Sequence, residues 1–267
     1  MADHTTYGLV CSELSEDLSK TNLGELKLDS FQDNSVKITI KAASLNFPDL
    51  LMTQGKYQNR PNLPFALGME GAGIVEKVGS KVSSFKEGDE VMFGGWGHGA
   101  IAESIILPEG LVSLKPKPLN FSEAASFKTA YLTAYVGLIR RGELRQGETL
   151  LVHGASGGVG MAAVQMGKLY GARVIASGTS DEKLKIVKTW GADEIINTGL
   201  EGSVSFREEV KNLTNEKGAD VIYDPVGGDV FDESIRCINW GGRLLIIGFT
   251  SGRIPTVPVN YPLIKGF

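Results

Sequence analysis

The stretch Thr149 to Gly160, TLLVHGASGGVG, constrains this chain more than any other. Leu150, Leu151 and Val152 read as a buried strand, Gly154, Gly157, Gly158 and Gly160 as a tight turn, and Val159 to Tyr170 as an apolar helix. A dinucleotide-binding βα unit needs that order: the turn must be sharp, the backbone must approach a pyrophosphate, and the helix must lie close on the strand. The phosphates then meet free backbone N–H groups at the positive end of the helix. Against the pattern G-x-G-x-x-G, Ala155 stands in the first glycine position, with Gly154 just before it to supply the bend. Gly157, Gly158, Val159 and Gly160 are expected to cradle the pyrophosphate through their backbone.

The residues after this stretch alternate between the two periodicities. Strands are expected at Arg173 to Ser177, Glu194 to Ile196, Asp220 to Tyr223 and Arg243 to Gly248, with helices at Asp181 to Trp190, Val204 to Leu213 and Val230 to Ile238. Such alternation means an α/β fold, a doubly wound parallel sheet with helices on both faces and its crevice at the carboxyl ends of the strands. A long helix from Glu123 to about Arg140, capped by Ser122, precedes it, so a second domain is expected over 122–267. Ile254 to Phe267 reads as irregular, with three prolines. A six-strand sheet would be one strand short there, and truncation at the C-terminus is expected.

Before residue 122 the pattern changes. Ser35 to Ala43, Gly73 to Val78, Asp89 to Phe93 and Glu103 to Pro108 are short alternating strands separated by Gly and Pro, which suggests a barrel or a distorted sandwich over 1–121.

Composition narrows the partners. A net charge of −4 with no basic run argues against nucleic acid, and no apolar stretch is long enough to span a membrane. The N-terminus lacks the features of a signal peptide, and two distant cysteines, Cys11 and Cys237, suggest a reducing, cytoplasmic setting. His4, His98 and His153 do not cluster with them, so no metal site is expected.

Several segments together resemble the quinone oxidoreductase (zeta-crystallin-like) branch of the zinc-independent medium-chain dehydrogenase/reductase superfamily. They are Asn46-Phe47-Pro48-Asp49, Gly55-Lys56-Tyr57, Leu67 to Val75 (LGMEGAGIV), Gly88-Asp89-Glu90-Val91, the GASGGVG turn, Thr133-Ala134-Tyr135 and Gly191-Ala192-Asp193. The resemblance implies an N-terminal GroES-like β-barrel catalytic domain, a Rossmann domain, NADPH, a cleft between the domains, and a homodimer in the full-length form. Zinc-dependent relatives carry Cys where this chain has Asn46 and His where it has Met69, both poor exchanges for zinc.

The residues themselves bear on which nicotinamide cofactor binds. Asp181 stands about twenty residues past the turn, where an acid would hold an NAD ribose. It falls in the first turn of the next helix and not at the strand end, where Ser177 sits; an acid there also suits helix capping. Ser177, Thr179, Ser180 and Lys183 offer hydroxyls and an ammonium to a 2′-phosphate, and the family uses these positions for that purpose. NADPH is therefore expected. Asn197 is a candidate for the adenosine, Thr133 for nicotinamide or ribose, and Gly248, Phe249 and Thr250 for the nicotinamide half.

The resemblance implies hydride transfer to a quinone or to an α,β-unsaturated carbonyl such as an enone or 2-alkenal. Without a metal, hydrogen-bond donors must steady the oxyanion. Asn46 has an amide donor and Tyr57 a phenol, with Asp49 to orient Asn46 or a water. Asn46 also suits a turn, Tyr57 loop packing and Asp49 a helix cap, while Met69 suits the core. Two alternatives stay open. One is an enoyl-CoA or acryloyl-CoA type reductase, for which Lys56 and Arg60 are the available entrance cations. The other is a non-catalytic NADPH-binding sensor or structural protein.

Overall fold

The computed structural model describes residues 5–94, 99–199 and 205–267. The chain forms two compact units, Met1–Thr129 and Ala130–Phe267. His98 and the expected helix start at Val204 lie outside the described residues.

The first unit holds β1 (Thr5–Cys11), β2 (Thr21–Lys27), β3 (Ser35–Ser44), β4 (Phe65–Ala66), β5 (Glu70–Val78), β6 (Glu90–Gly94), β7 (Ser104–Pro108) and β8 (Val112–Leu114). They make two antiparallel sheets, in the orders β2-β1-β4 and β7-β3-β5-β6-β8. Val36 and Ile38 on β3, Val75 on β5 and Val91 and Phe93 on β6 are buried in one core, as period-2 alternation requires. The expected barrel does not close among the described residues. Closure needs a continuous ladder, whereas an isolated bridge, Gly8 to Ala102, joins β1 to the segment before β7. Helix α1 (Phe47–Thr53) links β3 to β4 and has Pro48 in its first turn, where a missing N–H costs nothing.

The single helix expected from Glu123 to Arg140 is broken. Asn120, not Ser122, caps α2 (Phe121–Ala125), accepting from Glu123 N at 2.9 Å while the Glu123 carboxylate accepts from Asn120 N at 2.8 Å. The Ser126 hydroxyl then donates back to the carbonyls of Ser122 and Glu123, a bond that competes with helix continuation. A new helix, α3 (Lys128–Tyr135), follows and runs into a π-helical turn, Val136–Arg141. Ala124 and Ala125 of α2 pack on Ala72 and Met92, so this stretch belongs with the sheet of the first unit.

In the second unit β9 (Thr149–Val152), α4 (Gly158–Leu169), β10 (Arg173–Gly178), α5 (Asp181–Thr189), β11 (Glu194–Asn197), α6 (Phe206–Leu213), β12 (Ala219–Asp224), α7 (Gly228–Cys237) and β13 (Ile238–Ile246) alternate. The strands are parallel in the order β11-β10-β9-β12-β13. Alternate residues face opposite layers. Leu150, Val152, Val174, Ala176 and Val221 join one core with α4, and Leu151, Ile175, Ile196 and Ile222 join the other with α6 and α7. Each fully buried aliphatic side chain of this kind contributes about 1.5–3 kcal/mol. The order in which strands are laid down reverses between β9 and β12, which makes their carboxyl ends the topological switch point. Residues 254–267, expected to be irregular, contain helix α8 (Asn260–Lys265): Pro262 falls in its first turn and Gly266 ends it in the left-handed conformation.

Candidate active site

The glycine turn lies at the switch point. Gly157 is the N-cap of α4 and provides no side-chain cap, so the first N–H groups of a twelve-residue helix face outward without a side-chain acceptor. A Cβ on Gly158 would meet nothing within 4 Å, whereas one on Gly160 would stand 2.3 Å from Gly154 O and 2.8 Å from Ala155 Cα. The two glycines therefore do different work. Gly158 keeps an open cradle that a phosphate fits, and buried Gly160 lets the helix press against the turn. Gly154, at φ +55°, makes the bend.

Two further loops gather at the same end of the sheet. Asp224, at the end of β12, is buried and accepts from Val226 N at 2.8 Å and Gly227 N at 3.0 Å, while burial pushes its carboxyl up. The segment after β13 folds onto this turn: Thr250 N and Oγ1 both donate to Pro225 O, and Ser251 N donates to Val226 O. Phe249 lies against Gly227. Gly248 and Phe249 follow the strand end, as the sequence suggested, but the Thr250 hydroxyl proton is already spent.

At the carboxyl end of β10 the sequence-derived set divides. Ser177 is 2% exposed, and its oxygen lies 2.7 Å from His153 Nδ1. His153 Nε2 is 2.8 Å from Ser234 Oγ, whose own proton goes to Val230 O. Ser234 must therefore accept from Nε2–H, leaving Nδ1 to accept the Ser177 proton. Burial holds His153 neutral, its pKa lowered to about 3. Ser177 is removed from the phosphate-binding set, because it is buried and its only proton is committed. Thr179, Ser180 and Lys183 are outside the core, with Ser180 the N-cap of α5. Asn197 donates to Asp181 Oδ1 at 2.7 Å and accepts from Gly199 N at 2.9 Å, so both ends of its amide are engaged and the Asp181 carboxylate is turned to it. Thr133 sits half-buried on α3.

In the first unit, α1 sets the remaining residues. Asn46 is its N-cap, and Asp49, 1% exposed, accepts from Asn46 N at 2.7 Å and from Gly68 N at 3.0 Å. Burial, together with the charge of Glu70, pushes the Asp49 carboxyl up. Asp49 thus clamps α1 to the loop before β5 through backbone groups. Tyr57 packs its ring on Cys11, Met52, Phe65 and Leu67, beside Met69. The Asn46 amide nitrogen, the expected donor, lies 3.1 Å from Ser44 Oγ and 2.9 Å from Glu70 Oε1 and donates to them.

Glu70 is the residue that sequence reasoning missed. It is 1% exposed and accepts from Ser44 Oγ, Asn46 Nδ2 and Thr129 N. Lys128 is half-buried, and desolvation lowers its pKa against the raising effect of the Glu70 charge. The signal was an acid at the head of a strand of small and apolar residues, EGAGIV, where a charge must find partners. Among the described residues no three His, Cys, Asp or Glu side chains gather as metal ligands, and no helix is long and apolar enough to cross a membrane.

Comparison with known proteins agrees with this architecture. Residues 32–117 match the alcohol dehydrogenase GroES-like domain, and residues 158–267 match the zinc-binding dehydrogenase family. A quinone oxidoreductase-like protein 2 homolog of Nematostella vectensis is 38% identical over 258 residues, which is 96% of this chain and 69% of that protein. A Pseudomonas syringae quinone oxidoreductase structure aligns with a TM-score of 0.89 at 32% identity, over 97% of this chain and 78% of that one. The Escherichia coli quinone oxidoreductase complexed with NADPH aligns with a TM-score of 0.87 at 30% identity, over 98% and 78%. Fold and glycine turn thus define an oxidoreductase enzyme that uses a nicotinamide dinucleotide and acts on small molecules. Within the medium-chain dehydrogenase/reductase superfamily, the chain belongs to the quinone oxidoreductase branch.

Proposed function

We propose that this enzyme takes NADPH and passes its hydride to a quinone or to the β-carbon of an enone or 2-alkenal, with no catalytic metal. The observation that carries the reading is the glycine turn at the β9/β12 switch point, which has no side-chain cap and no protein atom within 4 Å of a Cβ placed on Gly158. Gly157, Gly158 and Val159 bind the pyrophosphate through N–H groups, and Gly160 supports the turn that presents them.

Preference for the 2′-phosphate rests with Thr179, Ser180 and Lys183, since the Asp181 carboxylate is held by Asn197. Gly248 and Phe249 border the nicotinamide half, and Thr133 assists from α3. Bound dihydronicotinamide supplies two electrons and a hydrogen to the acceptor, which takes one further proton from solvent to balance the reaction. The Tyr57 phenol, its ring fixed on an apolar cluster, donates a hydrogen bond to the acceptor oxygen as charge gathers there. Asp49 fixes the backbone of Asn46. Asn46 and Met69, both neutral, replace the thiolate and imidazole that zinc would require.

The test is to mix the purified chain with NADPH and a panel of quinones, enones and 2-alkenals and to follow loss of the NADPH absorbance. Oxidation that depends on the acceptor, faster with NADPH than with NADH, is the expected result. Tight NADPH binding with no oxidation by any acceptor would select a non-catalytic binding protein.

A further inference from the structure

Lys128 opens α3, and its surroundings differ from those of the other half-buried lysines of the first unit. Lys37 meets Glu76 at 2.6 Å, and Lys115 meets Glu90 at 3.1 Å. Among the described residues no carboxylate pairs with Lys128. Its Nζ donates to Leu111 O at 3.3 Å, a long bond to a neutral carbonyl. Glu70, the charged group that acts on it, spends its oxygens on Ser44, Asn46 and Thr129 N instead.

The stem of the side chain is held in place. A Cβ on Gly94 would stand 3.2 Å from Lys128 Cβ and 3.4 Å from its Cδ, so the chain lies on the backbone at the end of β6. Gly94 and Leu111 both border a small apolar cavity with Met69, Phe93 and Leu107. The amine therefore sits where solvation is reduced, and at the first residue of a helix, whose positive end disfavours a cation. Burial lowers its pKa by more than the Glu70 charge raises it. An uncharged amine is a nucleophile, and an ammonium is not.

We propose that Lys128 is a covalent modification site for α,β-unsaturated aldehydes, which its uncharged Nζ attacks at the β-carbon. The nitrogen lone pair forms the N–C bond, the C=C π pair moves to the α-carbon, and that carbon takes up the proton that the nitrogen gives away. Nothing leaves, and nothing is oxidised or reduced overall. The protein gains the whole mass of the alkenal and carries a free aldehyde group. The choice of electrophile rests on the reductase reading, in which 2-alkenals are acceptors. The readiness of the amine belongs to the ligand-free fold, and the reaction uses no NADPH.

To test this, the parent protein is treated with 2-hexenal at pH 7 without NADPH, quenched with borohydride to cap the retained aldehyde, digested, and mapped by mass spectrometry over time. The Lys128 adduct is expected to accumulate several-fold faster than adducts at the exposed Lys86 and Lys185. That excess is expected to vanish in urea, where all three amines meet the same solvent. Labelling of Lys128 no faster than of the exposed pair overturns the proposal. So does an excess that survives unfolding, which would belong to the local peptide and not to the fold. A product at Lys128 lighter by one water would be an imine, and would overturn the addition step.

Lys128→Arg keeps the charge on a stem of similar length and cannot be deprotonated. It is expected to abolish the fast phase while leaving the melting curve and the adducts at Lys86 and Lys185 unchanged. A fast phase that persists in K128R removes the assignment to this residue. If the protein reduces no quinone, enone or 2-alkenal with NADPH, the reductase reading falls, while the order of labelling in the parent still decides for or against Lys128.

Discussion

His153 shows how one buried side chain sets a pH response. Its pKa is lowered to about 3 in the folded chain by burial, against about 6.5 when unfolded. Between those values the unfolded state binds the extra proton, so stability is full above the unfolded value and is lost as pH falls, by about 1.4 kcal/mol per pH unit. His153→Gln keeps one donor and one acceptor but does not titrate. Urea melts at pH 7 and pH 5 are expected to show H153Q closing most of its deficit at the lower pH; a gap of constant size would count against the buried neutral imidazole. Asp49 and Asp224 work with the opposite sign: burial raises their carboxyls, and they lose stability as pH rises through their folded values. Comparing H153Q with the parent cancels their contribution. Tyr223 offers a second test, for its hydroxyl is buried with no hydrogen-bond partner among the described residues. Leaving such a group unsatisfied costs about 1–3 kcal/mol, so Tyr223→Phe is expected to raise the thermal midpoint, and a lowered one would mean that the hydroxyl is bonded.

At the scale of elements, the glycine turn separates two roles that the sequence runs together. Gly160→Ala forces a methyl group to within 2.3 Å of a carbonyl oxygen and is expected to cost about 1–3 kcal/mol as overpacking, weakening dinucleotide binding along with the fold. Gly158→Ala meets no protein atom, so its melting curve is expected to match the parent's while its NADPH affinity falls. Equal affinity in G158A would show that phosphate does not use this cradle. The elements themselves were largely legible. Alternation of Leu150, Leu151 and Val152 between two layers is what a parallel strand covered on both faces demands, and each strand–helix pair followed from periodicity. Helix α2 was misjudged because Ser126 looks harmless in sequence, and only its bonds to Ser122 and Glu123 show why the helix stops. Ser177 was misassigned because strand-end position says nothing about which way a side chain points. Glu70 was missed because its partners come from two segments distant from it in the chain, Ser44 with Asn46 and Thr129.

For the whole molecule, ligand binding should be visible as stability. A cofactor present at one hundred times its Kd stabilises the folded form by about 2.7 kcal/mol, so NADPH is expected to raise the thermal midpoint by several degrees and NADH by less. Lys183→Ala should remove about a tenfold preference, the scale of one exposed charge-assisted contact, while leaving the NADH response unchanged. Loss of both responses together would indicate damage to the fold and not to recognition of the phosphate.

The string from Ser177 through His153 to Ser234 has one more outcome. By locking the last hydroxyl of the strand inside the molecule, it leaves the proposed discrimination between the two nicotinamide currencies to positions outside the core, of which Ser180 also caps α5. Thr179 and Lys183, both exposed, can drift or be redesigned at little structural risk, so under the proposed function a taste for one reductant over the other is among the traits this scaffold could exchange most readily.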